Sequence, residues 1–226
     1  MKTKKAVVLL SGGIDSAVTL YLAKKEYDCR VLIFDYGQRA RKEVECAKAL
    51  ADAAECPYEV LKTAFPWKGS ALLDLSSPVP ASGEGEGIPA TYVPARNIIF
   101  LSYGVSFAEA AGAEAVFIGA HQHDFSNYPD CRDEFFERYR RMIEAGTRSG
   151  AEGSAVRIET PVLDMTKSEI IAAGYGMGVP FEFTWSCYEG GEHPCGRCES
   201  CAFRAKGFKE AGLEDPAAET TGGKAG

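Results

Sequence analysis

The stretch Lys5-Ala6-Val7-Val8-Leu9-Leu10-Ser11-Gly12-Gly13-Ile14-Asp15-Ser16 decides how this chain is read. Ala6 to Leu10 is an unbroken apolar run, the pattern of a strand buried on both faces of a parallel sheet. Ser-Gly-Gly ends it, and Asp15 to Lys25 resumes at helical spacing with Ala17, Leu20 and Tyr21 on one side. A buried strand that delivers two glycines into a helix is an anion site by construction. Glycine lets successive backbone N–H groups turn inward as a nest, and the helix N-terminus adds partial positive charge. Ser11 and Ser16 supply hydroxyls, and Asp15 complements the helix dipole and can hold Mg²⁺. A tight turn with a helix cap is the plainer alternative for Gly-Gly alone. Two familiar nucleotide loops are not matched here: no lysine follows Gly13 at Walker A spacing, and no G-x-G-x-x-G occurs at this turn.

Working outward, Arg30–Phe34, Tyr58–Leu61, Ala115–Gly119 and Val156–Ile158 read as further strands. Arg39–Ala54, Asn97–Ala111 and Asp133–Ala145 read as helices, the first with Val44, Ala47, Leu50 and Ala51 inward. Asn97–Ala111 is apolar around most of its circumference and predicts a buried helix. Strands alternating with helices imply βαβ units, hence a Rossmann-like α/β fold with a parallel sheet. Residues 66–89 break the rhythm with dense Pro, Gly and Ser, the composition of a mobile lid or a disordered stretch. Thr166-Lys167-Ser168-Glu169 has the form of a capping box before Ile170-Ile171. The expected organisation is an α/β nucleotide-binding domain over 1–180, a cysteine-bearing segment over 181–212 and a flexible tail over 213–226.

A net charge of −7 over 226 residues argues against an extended nucleic-acid footprint, which needs a basic stripe. No apolar run is long enough to span a membrane, so no membrane partner is expected. The apolar run behind Met1-Lys2-Thr3-Lys4-Lys5 is too short for a signal peptide, which predicts a cytoplasmic protein. Of eight cysteines, Cys29, Cys46, Cys56 and Cys131 are scattered and read as small buried hydrophobes. The other four are Cys187 and Cys195-Gly196-Arg197-Cys198-Glu199-Ser200-Cys201. Four thiolates within one short segment suit a closed, tetrahedral structural zinc site on Cys187, Cys195, Cys198 and Cys201. The rival is an iron–sulfur cluster, because C-x-x-C-x-x-C also begins ferredoxin-type runs; the upstream fourth cysteine and the lack of a Cys-Pro favour zinc.

Ser11-Gly12-Gly13-Ile14-Asp15-Ser16 resembles the SGGxDS signature of the PP-loop ATP pyrophosphatases, which cleave ATP between its α and β phosphates. Within that superfamily, several segments resemble the 7-cyano-7-deazaguanine synthase family, in matching order from about Ala6 to Lys206. They are Phe34–Arg39, Tyr92-Val93-Pro94-Ala95-Arg96-Asn97, Asp124–Arg132 and the cysteine array. The resemblance implies an ATP- and Mg-dependent ligase acting on 7-carboxy-7-deazaguanine and ammonia through an acyl-adenylate and an amide. It also implies structural zinc and a homodimer. ATP is then expected at Leu10, Ser11, Gly12, Gly13, Ile14, Asp15, Ser16 and Ala17, with Lys167 in reach of the phosphates. A guanine-like base offers N–H donors, so Asp124 or Asp130 is a natural partner, Phe125 and Tyr128 can stack, and Arg96 or Arg132 can fork onto a carboxylate or phosphate. His121 and His123 read as ordinary loop residues, with a general base or ligand pair as the rival. Ala95 stands where the family usually has glycine; if that position needs a positive φ, alanine strains the turn before Arg96. Two further readings are a PP-loop tRNA thiolase using its cysteines for sulfur chemistry or a cluster, and a non-catalytic zinc-binding module.

Overall fold

The structure, a computed structural model, describes residues 4–83, 87–121 and 128–217. Five strands, β1 (Lys5–Leu9), β2 (Asp28–Asp35), β3 (Tyr58–Lys62), β4 (Ala115–Ile118) and β5 (Arg157–Glu159), form one sheet in the order β3-β2-β1-β4-β5. Every pairing is parallel, as the apolar runs predict, with Leu9 opposite Leu32 on one side and Ile118 on the other. Seven helices accompany them: α1 (Ile14–Ala23), α2 (Lys42–Ala53), α3 (Arg96–Ala111), α4 (Asp133–Gly146), α5 (Arg148–Ala151), α6 (Lys167–Gly176) and α7 (Glu199–Ala211).

Strand alternation splits the core into two layers. Ala6 and Val8 face α1, α2, α6 and α7 through Val18, Leu20, Leu50, Ile170 and Phe208. Val7 and Leu9 face α3 and α4 through Leu101, Val105, Phe136 and Ile143. Each fully buried aliphatic side chain of this kind stabilises the fold by roughly 1.5–3 kcal/mol. Because the chain runs leftward from β1 to β3 and then crosses to β4, the C-terminal ends of β1 and β4 diverge. That divergence is a topological switch point, where doubly wound sheets open a binding crevice.

Three features depart from the sequence reading. The stretch 66–89 is pinned over its described part: Ser70, Ala71, Leu72 and Val79 are buried. Its backbone is satisfied without regular structure, since Arg39 donates from Nη2 to the Asp74 and Ser77 carbonyls at 3.0 and 2.6 Å. Ala81 also bridges Cys198. Helix α3 is not buried all round, for Ile98 and Tyr103 are exposed on its outer face. Helix α7 carried no apolar periodicity strong enough to announce it; it packs by a close approach, where a Cβ on Gly207 would lie 2.4 Å from Lys167 Cγ. The capping box forms as predicted, with Thr166 and Glu169 bonding each other's backbone N–H. Beyond Gly212 the chain stays attached through a bidentate pair between buried Arg204 and Asp215, both contacts 2.8 Å. Among the described residues, no helix is long and apolar enough to cross a membrane.

Candidate active site

The loop after β1 is built largely by its own groups. Ser16 Oγ donates to the Gly13 carbonyl at 3.0 Å and accepts from the Ser11 N–H at 3.2 Å, and the two hydroxyls lie 3.0 Å apart. Gly12 sits at φ +88, and a Cβ there would come 2.3 Å from the Glu43 carbonyl, so only glycine fits under α2. Gly119, at the end of β4, is required for a similar reason: its Cβ would lie 2.7 Å from the Ser16 nitrogen. Gly13 is the N-cap of α1 and no side chain caps that helix, which leaves the first-turn amides to an anion at the cavity's edge.

Leu10, Ser11, Gly13, Ile14, Asp15 and Ser16 line a cavity at the switch point. Gly12 and Ala17 lie just behind it, Ala17 fully buried. Lys167 reaches in from the start of α6 and forms a 2.6 Å ion pair with Asp15. His121 joins them, its Nε2 3.1 Å from Lys167 Nζ and 3.4 Å from Asp15 Oδ2. Burial works to raise the Asp15 pKa, but the charges of Lys167 and His121 and the Lys167 hydrogen bond outweigh it, so the carboxyl lies below its ordinary value. His121 is therefore a buried member of the polar floor, which its reading as an ordinary loop residue did not anticipate. His123 lies outside the described residues.

The opposite wall holds the other candidates unevenly. Arg96 lines the cavity at the start of α3 and donates to Tyr36 Oη at 3.3 Å. Burial disfavours its charge, while Tyr36, Asp130 and Glu43 hold it protonated. Tyr128 lines the cavity, buried, with its hydroxyl 2.5 Å from Thr91 Oγ1. Asp130 is not among the lining residues: its Oδ2 accepts from the Asn97 N–H at 3.2 Å, which caps α3 and steadies Arg96. Arg132 is exposed at the N-cap of α4 and does not line the cavity. Asp124 and Phe125 lie outside the described residues. Ala95 has φ +56, the left-handed conformation that costs alanine strain.

Some lining residues had no local signal. Glu43 is an acid in the first turn of α2, where acids are common in any helix. Tyr188 follows the first cysteine of the array and comes in from the far end of the chain. Cys131, read as a buried hydrophobe, lines the cavity; burial and the Asp130 carboxylate push its thiol up to about 12, so it stays protonated.

The four clustered cysteines converge: the sulfurs of Cys187, Cys195, Cys198 and Cys201 all lie within 4.8 Å of one another. A tetrahedral zinc with Zn–S of about 2.3 Å needs sulfurs about 3.8 Å apart, so the set fits that ion. The thiols compete for protons: hydrogen bonds with Cys187 and Cys201 push Cys198 down, while those with Cys187 and Cys198 push Cys201 far up. Four thiolates this close need a cation between them. Backbone N–H groups of Glu189 and Cys195 point at Cys187 Sγ at 3.4 and 3.3 Å, as partners of a metal-bound thiolate do. The segment is tied to the phosphate loop by Trp185, whose N–H donates to the Gly12 carbonyl at 2.8 Å.

Comparison with known proteins agrees with this geometry. Residues 5–212 match the family described as queuosine biosynthesis protein QueC. The chain is 50% identical over 218 residues to a 7-cyano-7-deazaguanine synthase of Clostridium kluyveri, covering 94% of this chain and 96% of that one. It is 48% identical over 214 residues to 7-cyano-7-deazaguanine synthase 2 of Desulfitobacterium hafniense, covering 94% and 92%. The NMN synthetase structure from Francisella tularensis shares the fold at a TM-score of 0.51 and 15% identity, over 96% of this chain and 81% of that one. With a family match that takes in the whole sheet, the phosphate loop and the cysteine array, this chain belongs to the QueC family of queuosine biosynthesis proteins.

Proposed function

We propose that this protein makes 7-cyano-7-deazaguanine from 7-carboxy-7-deazaguanine and ammonia, using ATP first to form an acyl-adenylate and again to dehydrate the amide. The observation that carries the reading is that one cavity joins the Ser11–Ser16 loop to Arg96 and an aromatic wall. Phosphates on the loop and a flat heterocycle on that wall would meet without crossing solvent. A carboxylate is a poor electrophile because hydroxide leaves badly; adenylation replaces it with AMP, a far better leaving group.

The residues divide the work. The amides of Gly13 to Ser16 and the α1 N-terminus hold the departing pyrophosphate. Lys167 neutralises phosphate charge as it develops, and Asp15 keeps that ammonium oriented at 2.6 Å. Asp15 would hold Mg²⁺, which would supply positive charge to stabilise the phosphates. Arg96 holds an anionic group of substrate or nucleotide, its planar fork set by Tyr36. Tyr128 offers a ring face to the base. Zinc on the four cysteines would be a fastener that keeps Trp185 and Tyr188 against the site; its role is structural. The chain would work in the cytoplasm, without nucleic acid, and as the homodimer that the family likeness implies. Its division into 1–180, 181–212 and 213–226 belongs to the same proposal.

Incubation with the deazaguanine acid, ATP, Mg²⁺ and ammonium, followed by mass spectrometry of the heterocycle, tests this. The nitrile is expected; an unchanged carboxylic acid contradicts it. The names of the relatives favour this reading over a tRNA thiolase, which would leave the acid unchanged and require iron or a persulfide.

A further inference from the structure

Among the described residues, two carboxylates line the cavity, Asp15 and Glu43. Asp15 is engaged by Lys167 and His121. Glu43 is different: it stands in the first turn of α2, half-buried, and no hydrogen bond or ion pair ties its carboxyl to another described residue. Its main chain is fixed, because its carbonyl packs against Gly12 so closely that no Cβ fits between. The side chain is thus an acceptor on a rigid mount, near the cationic Arg96 and Tyr36, in a cavity that Trp185 and Tyr188 also line.

A half-buried carboxylate without a protein partner costs free energy to the extent that it is desolvated, and a ligand that satisfies it recovers that cost. Burial, partly offset by Arg96, pushes Glu43 up to about 7. The ligand that best meets a carboxylate between aromatic faces is planar and carries two adjacent N–H donors on one edge. A guanine-type heterocycle has that edge in its N1–H and exocyclic amine. Of the two acids expected for this task, Asp130 caps α3 and does not line the cavity, and Asp124 lies outside the described residues.

We infer that Glu43 is the recognition residue for the amino-pyrimidinone edge of the substrate, accepting two parallel hydrogen bonds from the ring N–H and the exocyclic amine. Arg96, beside it, then turns the donors not engaged with Tyr36 toward the oxygen-bearing side of the same molecule. The inference rests on the proposed function. A site built to pair a substrate N–H rejects the analogue lacking it, because its own acceptor is left bare.

The test compares the deazaguanine acid with its analogue lacking the exocyclic amine, for wild type and Glu43→Gln, by kcat/KM for nitrile formation. Wild type is expected to prefer the amino substrate by about 100-fold or more, and E43Q to reduce that preference to about tenfold or less. ATP affinity and zinc content of the variant are expected to match wild type, which shows it folded. Undiminished preference in E43Q overturns the inference, as does a wild type that does not discriminate. A kcat loss with the preference intact would instead make Glu43 an acid–base group and also overturn it. Failure of wild type to convert the amino substrate at all would strike the proposed function itself.

Discussion

The phosphate loop and the cysteine segment are both short, glycine-bearing and recognisable as motifs, yet they are held in opposite ways. The loop stands on β1, buried along nearly its whole length, and closes on itself through Ser11, Gly13 and Ser16. The stretch from Thr184 to Cys198 has no helix or strand of its own before α7 begins. Its internal order comes from N–H···S contacts and four converging thiols, and its position from Trp185 on Gly12 and from the bridge at Ala81. One region takes its shape from the fold; the other converges on four thiols that the proposed zinc would fasten, and lends walls to the first region's cavity. Chemistry and stability should therefore separate between them.

The largest expected effect is on the loop side. Asp15→Asn keeps the shape but removes the charge that orients Lys167, and turnover is expected to fall by about 10³-fold, the scale of a lost electrostatic element in an active site. Zinc content should stay at the wild-type value. Loss of zinc along with activity, measured by metal analysis of the purified variant, would break the separation.

On the other side, Cys198→Ala removes one of the four proposed zinc ligands, and the binding energy of such a structural site is folding energy. A loss of about 3 kcal/mol or more is expected, which at about 2–4 °C per kcal/mol for a chain this size lowers Tm by on the order of 10 °C. A strong chelator on wild type should reproduce most of that drop. A thermal scan in which neither treatment moves Tm would show that the segment orders itself without metal.

Acid sharpens the contrast. The folded-state pKa of Asp15 is depressed, so its ion pair stabilises the protein fully above the ordinary value of 3.8 and loses that contribution as pH falls through the lower folded value. The Tm gap between wild type and Asp15→Asn should be constant at neutral pH and close below 3.8. A gap that widens in acid has the wrong sign for this pair.

The smallest effect lies in the turn before Arg96. Ala95 at φ +56 carries left-handed strain of about 1–2 kcal/mol, partly offset in a glycine variant by the freer unfolded chain. Ala95→Gly should raise Tm by about 2 °C with kcat unchanged. A destabilised variant would mean the alanine methyl packs usefully.

What could be read in advance follows from how local each feature is. β1, the loop and α1 are contiguous, so their burial and turn chemistry are written in one stretch, and the parallel sheet follows from the same apolar runs. The four cysteines announce themselves by spacing. Glu43 and His121 join the site only because α2 and the end of β4 converge on the loop, and no spacing records that convergence. Residues 66–89 misled for a related reason: Pro, Gly and Ser imply no regular structure, but Arg39 can order such a chain by taking its carbonyls. Asp130 looked like a ligand for the base because its role as the cap of α3 depends on a residue 33 positions away.

The central claim, that one cavity couples ATP cleavage at the α–β bond to activation of a deazaguanine carboxylate, is tested most directly by the nucleotide products. With the deazaguanine acid and ammonium present, AMP and pyrophosphate should appear together with the nitrile, and neither without the acid. ADP and phosphate, or AMP formed while the acid stays unchanged, would contradict it.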